Sequence, residues 1–82
     1  MDIQRIIDEQ LRVLCEIEDD DPDYGEDLNL FDAGYLDSLG GMKLIAFLEE
    51  RFGIEISQKD LILYPMNTLR EISELVERKL ER

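Results

Sequence analysis

The chain has 82 residues, 44% of them hydrophobic, and carries 21 acidic residues against nine basic ones, a formal net charge of −12. A chain of this length forms one small domain, which we expect to span residues 1–82, and its hydrophobic fraction excludes a wholly disordered protein. It has no histidine and one cysteine. Ser–His–Asp triads, Cys–His pairs and zinc sites are therefore excluded, and we expect neither an enzyme nor a metal site.

The negative charge is concentrated in one segment of the chain. Residues Glu16 to Asp37 contain ten acidic residues and no basic ones. Such a surface repels nucleic acid and accelerates the encounter with basic protein partners. No apolar run approaches the ~20 residues of a membrane span, and we expect no signal peptide. Because the lone Cys15 cannot form an internal disulfide, we expect a cytoplasmic location.

The first predicted element is a helix over Asp2 to Ile17, indicated by apolar residues three and four positions apart. Cys15 lies at the edge of this stripe and is expected to serve only for packing. Glu18 to Asp37 lacks periodicity and is predicted to be a long loop held on the core by interspersed apolar residues. The apolar residues of the helix are Ile3, Ile6, Ile7, Leu11 and Leu14, and those of the loop are Leu28, Leu30, Phe31 and Leu36.

A second helix is predicted over Ser38 to Phe52. Either Asp37 or Ser38 caps its start, and Gly53 follows its end, where a left-handed residue is favoured. The apolar face of this helix consists of Leu44, Ile45, Leu48 and Phe52.

The rest of the chain completes a small all-α four-helix bundle. After an extended link over Ile54 to Ile56, Ser57 introduces a single helical turn that closes before Pro65. The last helix begins near Thr68, where Thr68 and Glu71 have the spacing of a capping box. The expected fold has three main helices, one short helix and a long first loop.

One segment carries chemical information, the junction of the long loop with the second helix. Asp37-Ser38 alone is the pattern of a helix cap. Here, however, the serine lies between a long exposed loop and a helix start, so its hydroxyl is expected to face solvent. A helix N-terminus also favours an attached phosphate, because its free N–H groups and positive dipole end lie beside it.

In these residues the chain resembles the acyl carrier protein family, including its D-alanyl and peptidyl carrier relatives. The resemblance covers essentially the whole length. The residues that carry it are Asp37-Ser38-Leu39, Phe31, Gly34 and Leu36 before them, and Leu44-Ile45, Leu48-Glu49-Glu50, Phe52 and Ile54-Glu55-Ile56 after them.

The resemblance implies a carrier protein with 4'-phosphopantetheine attached covalently to Ser38. A phosphopantetheinyl transferase would add this arm, and Asp37 would present the serine and be read by that enzyme, with Leu39 beside them. The arm would hold an acyl or aminoacyl group as a thioester, loaded by a ligase or synthetase and removed by a downstream transferase. Met42, Glu49 and Glu50 are the expected partner-binding residues, and we expect a monomer.

Several features depart from the family pattern or allow another interpretation. Fatty-acid carriers usually have an acidic residue where this chain has Lys43, which argues against ordinary fatty-acid synthesis and leaves the cargo open. Gly40 and Gly41 weaken the first helical turn, or else permit close approach of a partner or of the arm. The alternative function is a non-catalytic acidic adaptor in which Ser38 is only a helix cap. A calcium-binding loop fails because neither register starting at Asp19 or Asp20 matches an EF-hand.

Overall fold

The computed structural model describes residues 2–81. In chain order its helices are α1 (Ile3–Leu14), α2 (Ser38–Phe52), α3 (Gln58–Leu63) and α4 (Leu69–Leu80). The three long helices pack against one another, and the loop between α1 and α2 contributes Leu30 and Leu36 to their core. The predicted all-α bundle with three main helices, one short helix and a long first loop is confirmed. Within residues 2–81, no helix is both long and apolar enough to cross a membrane.

The core is built from the apolar stripes of the long helices together with loop residues. Each stripe presents a narrow band of leucine and isoleucine, which is the pattern of helices that bury one face. The fully buried residues are Ile7, Leu11, Leu30, Leu44, Leu48, Ile72, Leu75 and Val76.

Helix α1 is shorter than the predicted span of Asp2 to Ile17. Asp2 caps it by accepting a hydrogen bond from N of Arg5. At the other end Glu16 adopts a left-handed conformation with φ 54°, and N of Ile17 donates to O of Arg12 at 2.9 Å. This turn ends the helix at Leu14 and directs the Ile17 side chain into the core, where it is 7% exposed.

Helix α2 has the predicted bounds. Asp37, not Ser38, is its cap, and Ser38 is the first helical residue. Gly53 follows the helix in the left-handed region with φ 66°, which glycine adopts without the steric cost of a Cβ atom.

The predicted capping box at α4 is only half correct. Thr68 Oγ1 accepts a hydrogen bond from N of Glu71 at 3.0 Å, as expected. The Glu71 carboxylate, however, accepts from N of Asn67 at 3.1 Å instead of from N of Thr68. A complete capping box is found at α3, where Ser57 and Asp60 satisfy each other's backbone N–H groups.

The long loop is fixed to the helices, as predicted. Leu30 is fully buried and Leu36 is 5% exposed, and N of Leu30 donates to O of Asn67 at 2.7 Å. The guanidinium of Arg70 on α4 binds the carboxylates of Glu26 and Asp27, and N of Arg70 donates to O of Glu26 at 3.0 Å. Of the expected apolar anchors, Phe31 is the outlier, because its side chain remains 38% exposed.

Helix α3 buries none of its residues, so its position depends on polar contacts at its first turn. The Asp60 Oδ2 atom accepts hydrogen bonds from N of Ser57 at 2.9 Å and from Nζ of Lys79 on α4 at 2.9 Å. These contacts, with the Ser57 backbone as the largest cause, lower the pKa of Asp60 from 3.8 to about 2.

We expect the contribution of Asp60 to stability to disappear in acid. Its folded-state pKa lies below its unfolded value, so the stabilisation is fully present above about pH 4 and is lost as the pH falls toward about 2. An Asp60→Asn protein should therefore melt at a lower temperature than the wild type at neutral pH, and the two melting temperatures should converge in this acidic window. Lys79→Gln removes only one of the contacts and should have a smaller effect. A difference between wild type and Asp60→Asn that is the same at every pH would contradict this account.

Candidate functional site

The chain approaches α2 through a tight turn over residues 29–36. Both N of Tyr35 and N of Leu36 donate to the carbonyl oxygen of Leu30, at 2.9 Å and 3.0 Å. Gly34 permits this turn because its φ of 85° is strained for a residue with a side chain. Since Leu30 and Leu36 are both buried, the two ends of the turn are fixed in the core and the start of α2 is fixed with them.

Ser38 stands exposed at the first position of α2. The Asp37 Oδ1 atom accepts a hydrogen bond from N of Gly40 at 2.8 Å, and the Asp37 carbonyl accepts from N of Gly41 at 2.8 Å. The N–H groups of the first helical residues have no acceptor inside a helix, and the positive end of the helix dipole lies beside them. An exposed hydroxyl at this place fits a covalently attached phosphate.

The two glycines of the first turn face different neighbours. A Cβ atom on Gly40 would lie 3.2 Å from the Leu36 Cδ2 atom and 3.3 Å from the Asp37 Oδ1 atom. A Cβ atom on Gly41 would lie at an ordinary contact distance of 3.5 Å from the Phe31 ring. Gly40 therefore leaves room for the Asp37 cap and for the buried Leu36, whereas Gly41 is not required by packing within the fold.

Exposed apolar side chains follow the serine on α2 and occur again on α3. Leu39 is 61% exposed and Met42, one turn further along α2, is 68% exposed. The α3 residues Leu61, Ile62 and Leu63 are also exposed apolar side chains. Exposed apolar side chains in this number on a small domain are typical of a protein that meets other proteins.

The two acidic residues predicted to bind partners have different surroundings. Glu50 is exposed on α2. Glu49 is partly buried, and its Oε2 atom accepts a hydrogen bond from N of Ile56 at 2.9 Å. Glu49 thus braces the link between α2 and α3, and Glu50 is the freer of the two carboxylates.

Two tyrosines that the sequence did not single out hold the loop that leads to the serine. The Tyr24 hydroxyl donates to the Asp8 Oδ1 atom at 2.6 Å, and the Tyr35 hydroxyl donates to the Asp21 Oδ2 atom at 2.5 Å. Their rings meet edge to face with centroids 6.4 Å apart. Burial, followed by the hydrogen bond to Asp8, raises the pKa of Tyr24, and the hydrogen bond to Asp21 raises that of Tyr35 to about 12. In the sequence, the presence of two tyrosines within an acidic loop was the signal that could have indicated these hydrogen bonds.

The acidic loop does not assemble a metal site in the part of the chain that is described. Among residues 2–81 no group of three or more Cys, Asp or Glu side chains is arranged to hold a metal ion. Asp21 instead accepts from Tyr35 and from N of Asp23, and these hydrogen bonds lower its pKa.

The contrast between the two glycines gives a stability prediction. Gly41→Ala should raise the free energy of unfolding by about 0.5–1 kcal/mol, because alanine is the better helix former and its Cβ atom meets only an ordinary contact. Gly40→Ala should give a smaller gain or a loss, since Leu36 and the Asp37 carboxylate must move. Urea denaturation of both variants measures the difference. Equal stabilisation by the two substitutions would show that the space beside Gly40 is not restrictive.

Comparison with known proteins identifies the family of the chain. Residues 3–76 match the family described as "Phosphopantetheine attachment site". The chain is 36% identical over 72 residues to the D-alanyl carrier protein of Streptococcus suis, covering 88% of this chain and 87% of that protein. It is also 39% identical over 46 residues to D-alanyl carrier protein 1 of Lactiplantibacillus plantarum, a match that spans only 58% of that relative. No solved structure gives a significant match.

These matches confirm the family resemblance that the residues around Ser38 indicated. The family match covers nearly all of the chain, and the fold places an exposed serine at a helix start where a phosphate is favoured. The chain therefore belongs to the phosphopantetheine-attachment family and is a non-catalytic carrier to which 4'-phosphopantetheine is joined covalently.

Proposed function

We propose that Ser38 is the residue that receives the phosphopantetheine arm and that the arm carries an aminoacyl group. The observation that carries the first part is the exposed position of Ser38 at the start of α2, with its neighbour Asp37 fixed as the cap. Asp37 holds the first helical turn in place and so presents the hydroxyl in a constant orientation. Leu39, exposed on the other side of the serine, offers an apolar contact to the modifying enzyme.

The modification itself exchanges a phosphoanhydride bond of coenzyme A for a phosphate ester bond to the serine. The Ser38 Oγ atom forms a phosphodiester with the pantetheine phosphate of coenzyme A, the diphosphate bond of coenzyme A breaks, and adenosine bisphosphate leaves. The hydroxyl proton is removed by the transferase, since the chain has no histidine to take it. The terminal thiol of the arm then holds cargo as a thioester, and tethering raises the effective concentration of that cargo at each partner.

The similarity to two proteins named D-alanyl carriers supports D-alanine as the cargo. Lys43 stands where fatty-acid carriers usually have an acidic residue, and this difference supports partner enzymes other than those of fatty-acid synthesis. The partners would be a phosphopantetheinyl transferase, an ATP-dependent ligase that loads the arm, and a downstream transferase, all meeting a monomeric carrier in the cytoplasm.

The partner surface would combine Met42 and Glu50 on α2 with the exposed apolar residues of α3. Met42 supplies a flexible apolar contact that adapts to different surfaces. Glu49 contributes by fixing the link that leads into α3. The acidic loop adds long-range attraction for basic partners.

The attachment residue can be tested by intact mass. Incubation of the purified protein with coenzyme A, magnesium and a broad-specificity phosphopantetheinyl transferase should add the mass of one phosphopantetheine. Ser38→Ala should gain nothing, and Ser57→Ala, which removes the cap of α3, should still be modified. Failure of the wild type to gain mass, or a gain that persists in Ser38→Ala, would refute Ser38 as the attachment residue.

The cargo can be tested on the modified protein. With ATP and a ligase that activates D-alanine, we expect a further mass gain of one alanyl group that hydroxylamine removes, as a thioester requires. L-Alanine and a fatty acid with its own ligase serve as controls. Loading with the fatty acid but not with D-alanine would contradict the proposed cargo and leave the attachment residue unaffected.

A further inference from the structure

One part of the long loop is held in place by polar contacts and not by burial. Residues 18–24, which we call the acidic segment, contain five acidic residues and no basic one, and none of these seven residues is buried. Within residues 2–81, the hydrogen bonds that tie the acidic segment to the rest of the chain run to α1 and to Tyr35. Its position therefore depends on a few side chains.

Arg12 holds the acidic segment against α1. Its Nη1 atom donates a hydrogen bond to the carbonyl oxygen of Glu18 at 3.2 Å, and its Nε atom donates to the Asp8 Oδ2 atom at 3.2 Å. Its Cζ atom lies 4.8 Å from the centre of the Tyr24 ring, within the range of a cation–π contact. Because the Tyr24 hydroxyl binds the same Asp8 carboxylate, Arg12, Asp8 and Tyr24 form one unit that fixes both ends of the acidic segment to α1.

Tyr35 joins the middle of the acidic segment to the turn that precedes Ser38. Its hydroxyl donates to the Asp21 Oδ2 atom at 2.5 Å, and its N–H group donates to the carbonyl oxygen of Leu30 at 2.9 Å. One residue thus binds the segment with its side chain and closes the turn with its backbone. Tyr35 and Ser38 are three residues apart, which is at most about 11 Å along the chain. The acidic segment is therefore held close to the attachment residue.

The charge of the acidic segment would oppose the modification if the segment were released. Asp19, Asp20 and Asp23 are exposed, and carboxylates are attracted to the positive end of a helix dipole such as the start of α2. The modifying reaction brings coenzyme A, whose diphosphate is also an anion, to the same place. A released segment would compete for the helix start and repel this substrate, so holding the segment on α1 favours the reaction.

We propose that Arg12 and Tyr35 are positioning residues for the modification of Ser38, because together they keep the acidic segment on α1 and away from the start of α2. The inference rests on attachment of the arm at Ser38. It assigns a role in the reaction to two residues that are not part of α2. Both act through the position of the segment, so loss of either lowers the fraction of carrier molecules that the transferase can bind productively.

The kinetics of modification test the role of Tyr35. The rate is measured by intact mass at saturating coenzyme A and varied carrier concentration. Tyr35→Phe should raise KM for the carrier by about threefold or more and leave kcat unchanged, the factor for a segment that is displaced about two thirds of the time. This substitution removes a hydroxyl and no charge, so long-range attraction to the transferase is the same. Tyr64→Phe, at a tyrosine beside Arg78 and outside this network, should keep the wild-type KM.

Two matched variants test the role of Arg12. Arg12→Met and Arg78→Met each remove one positive charge and one arginine stacked over a tyrosine ring, at 4.8 Å and 5.1 Å. KM should rise in Arg12→Met and not in Arg78→Met, because only Arg12 holds the acidic segment. In about 1 M salt, where charges are screened beyond about 3 Å, the ratio of the Tyr35→Phe KM to the wild-type KM should return toward one.

A wild-type KM in both Tyr35→Phe and Arg12→Met would overturn the inference while leaving Ser38 as the attachment residue. A lower melting temperature with an unchanged KM would also overturn it, because the two residues would then serve stability alone. A ratio of KM values that is the same at low and high salt would refute competition of the acidic segment for the helix start. Absence of a mass gain in the wild type would instead overturn the proposed function, and this inference with it.

Discussion

The carbonyl oxygen of Leu30 is the acceptor on which the geometry of the site depends. It receives the N–H groups of Tyr35 and Leu36 together, while the side chains of Leu30 and Leu36 are buried in the core. The turn between them is thereby closed by hydrogen bonds and held by apolar burial at both ends. A buried leucine contributes roughly 1.5–3 kcal/mol, so displacement of this turn is costly. The exposed Ser38 that follows this turn is therefore held in a fixed position by residues that are buried.

The acidic loop remains ordered despite its charge because specific groups neutralise or bind part of it. Arg70 joins two of its carboxylates to α4, and the two tyrosine hydroxyls bind one carboxylate on α1 and one in the loop itself. Arg12 adds a contact with Asp8 and stacks over the Tyr24 ring at 4.8 Å. The remaining acidic side chains face solvent, where they can attract basic partners. Structural and steering roles are thus divided among different carboxylates of one segment.

The sequence predicted those features that depend on local chemistry. The bounds of α2 followed from Asp37 at one end and Gly53 at the other, because a cap and a left-handed residue act over only a few positions. The extra length assigned to α1 was wrong because Ile17 continues the apolar pattern although the backbone has already turned at Glu16. Periodicity cannot distinguish a helical residue from a loop residue that buries its side chain.

What the sequence could not provide were contacts between distant positions. The partners of Arg70 lie more than forty residues away, and Tyr35 meets Asp21 across the loop. None of these pairs has a spacing that a helix or a turn would impose. The serine could be named from its motif, but the hydrogen bonds that close the turn before it on the Leu30 carbonyl could not.

The small number of attachments of α3 has a consequence for how the bundle opens. The helix stabilises its own first turn through Ser57 and Asp60, but its link to α4 includes the ion pair between Asp60 and Lys79, and none of its residues is buried. Detaching it therefore exposes little new apolar surface, so the free energy required is a small part of that for unfolding the whole chain. Thermal fluctuations would detach this short helix as a unit long before α1, α2 and α4 separate. The three long helices would then form a rigid frame, while the side of the protein that carries α3 could adjust its shape to a binding partner.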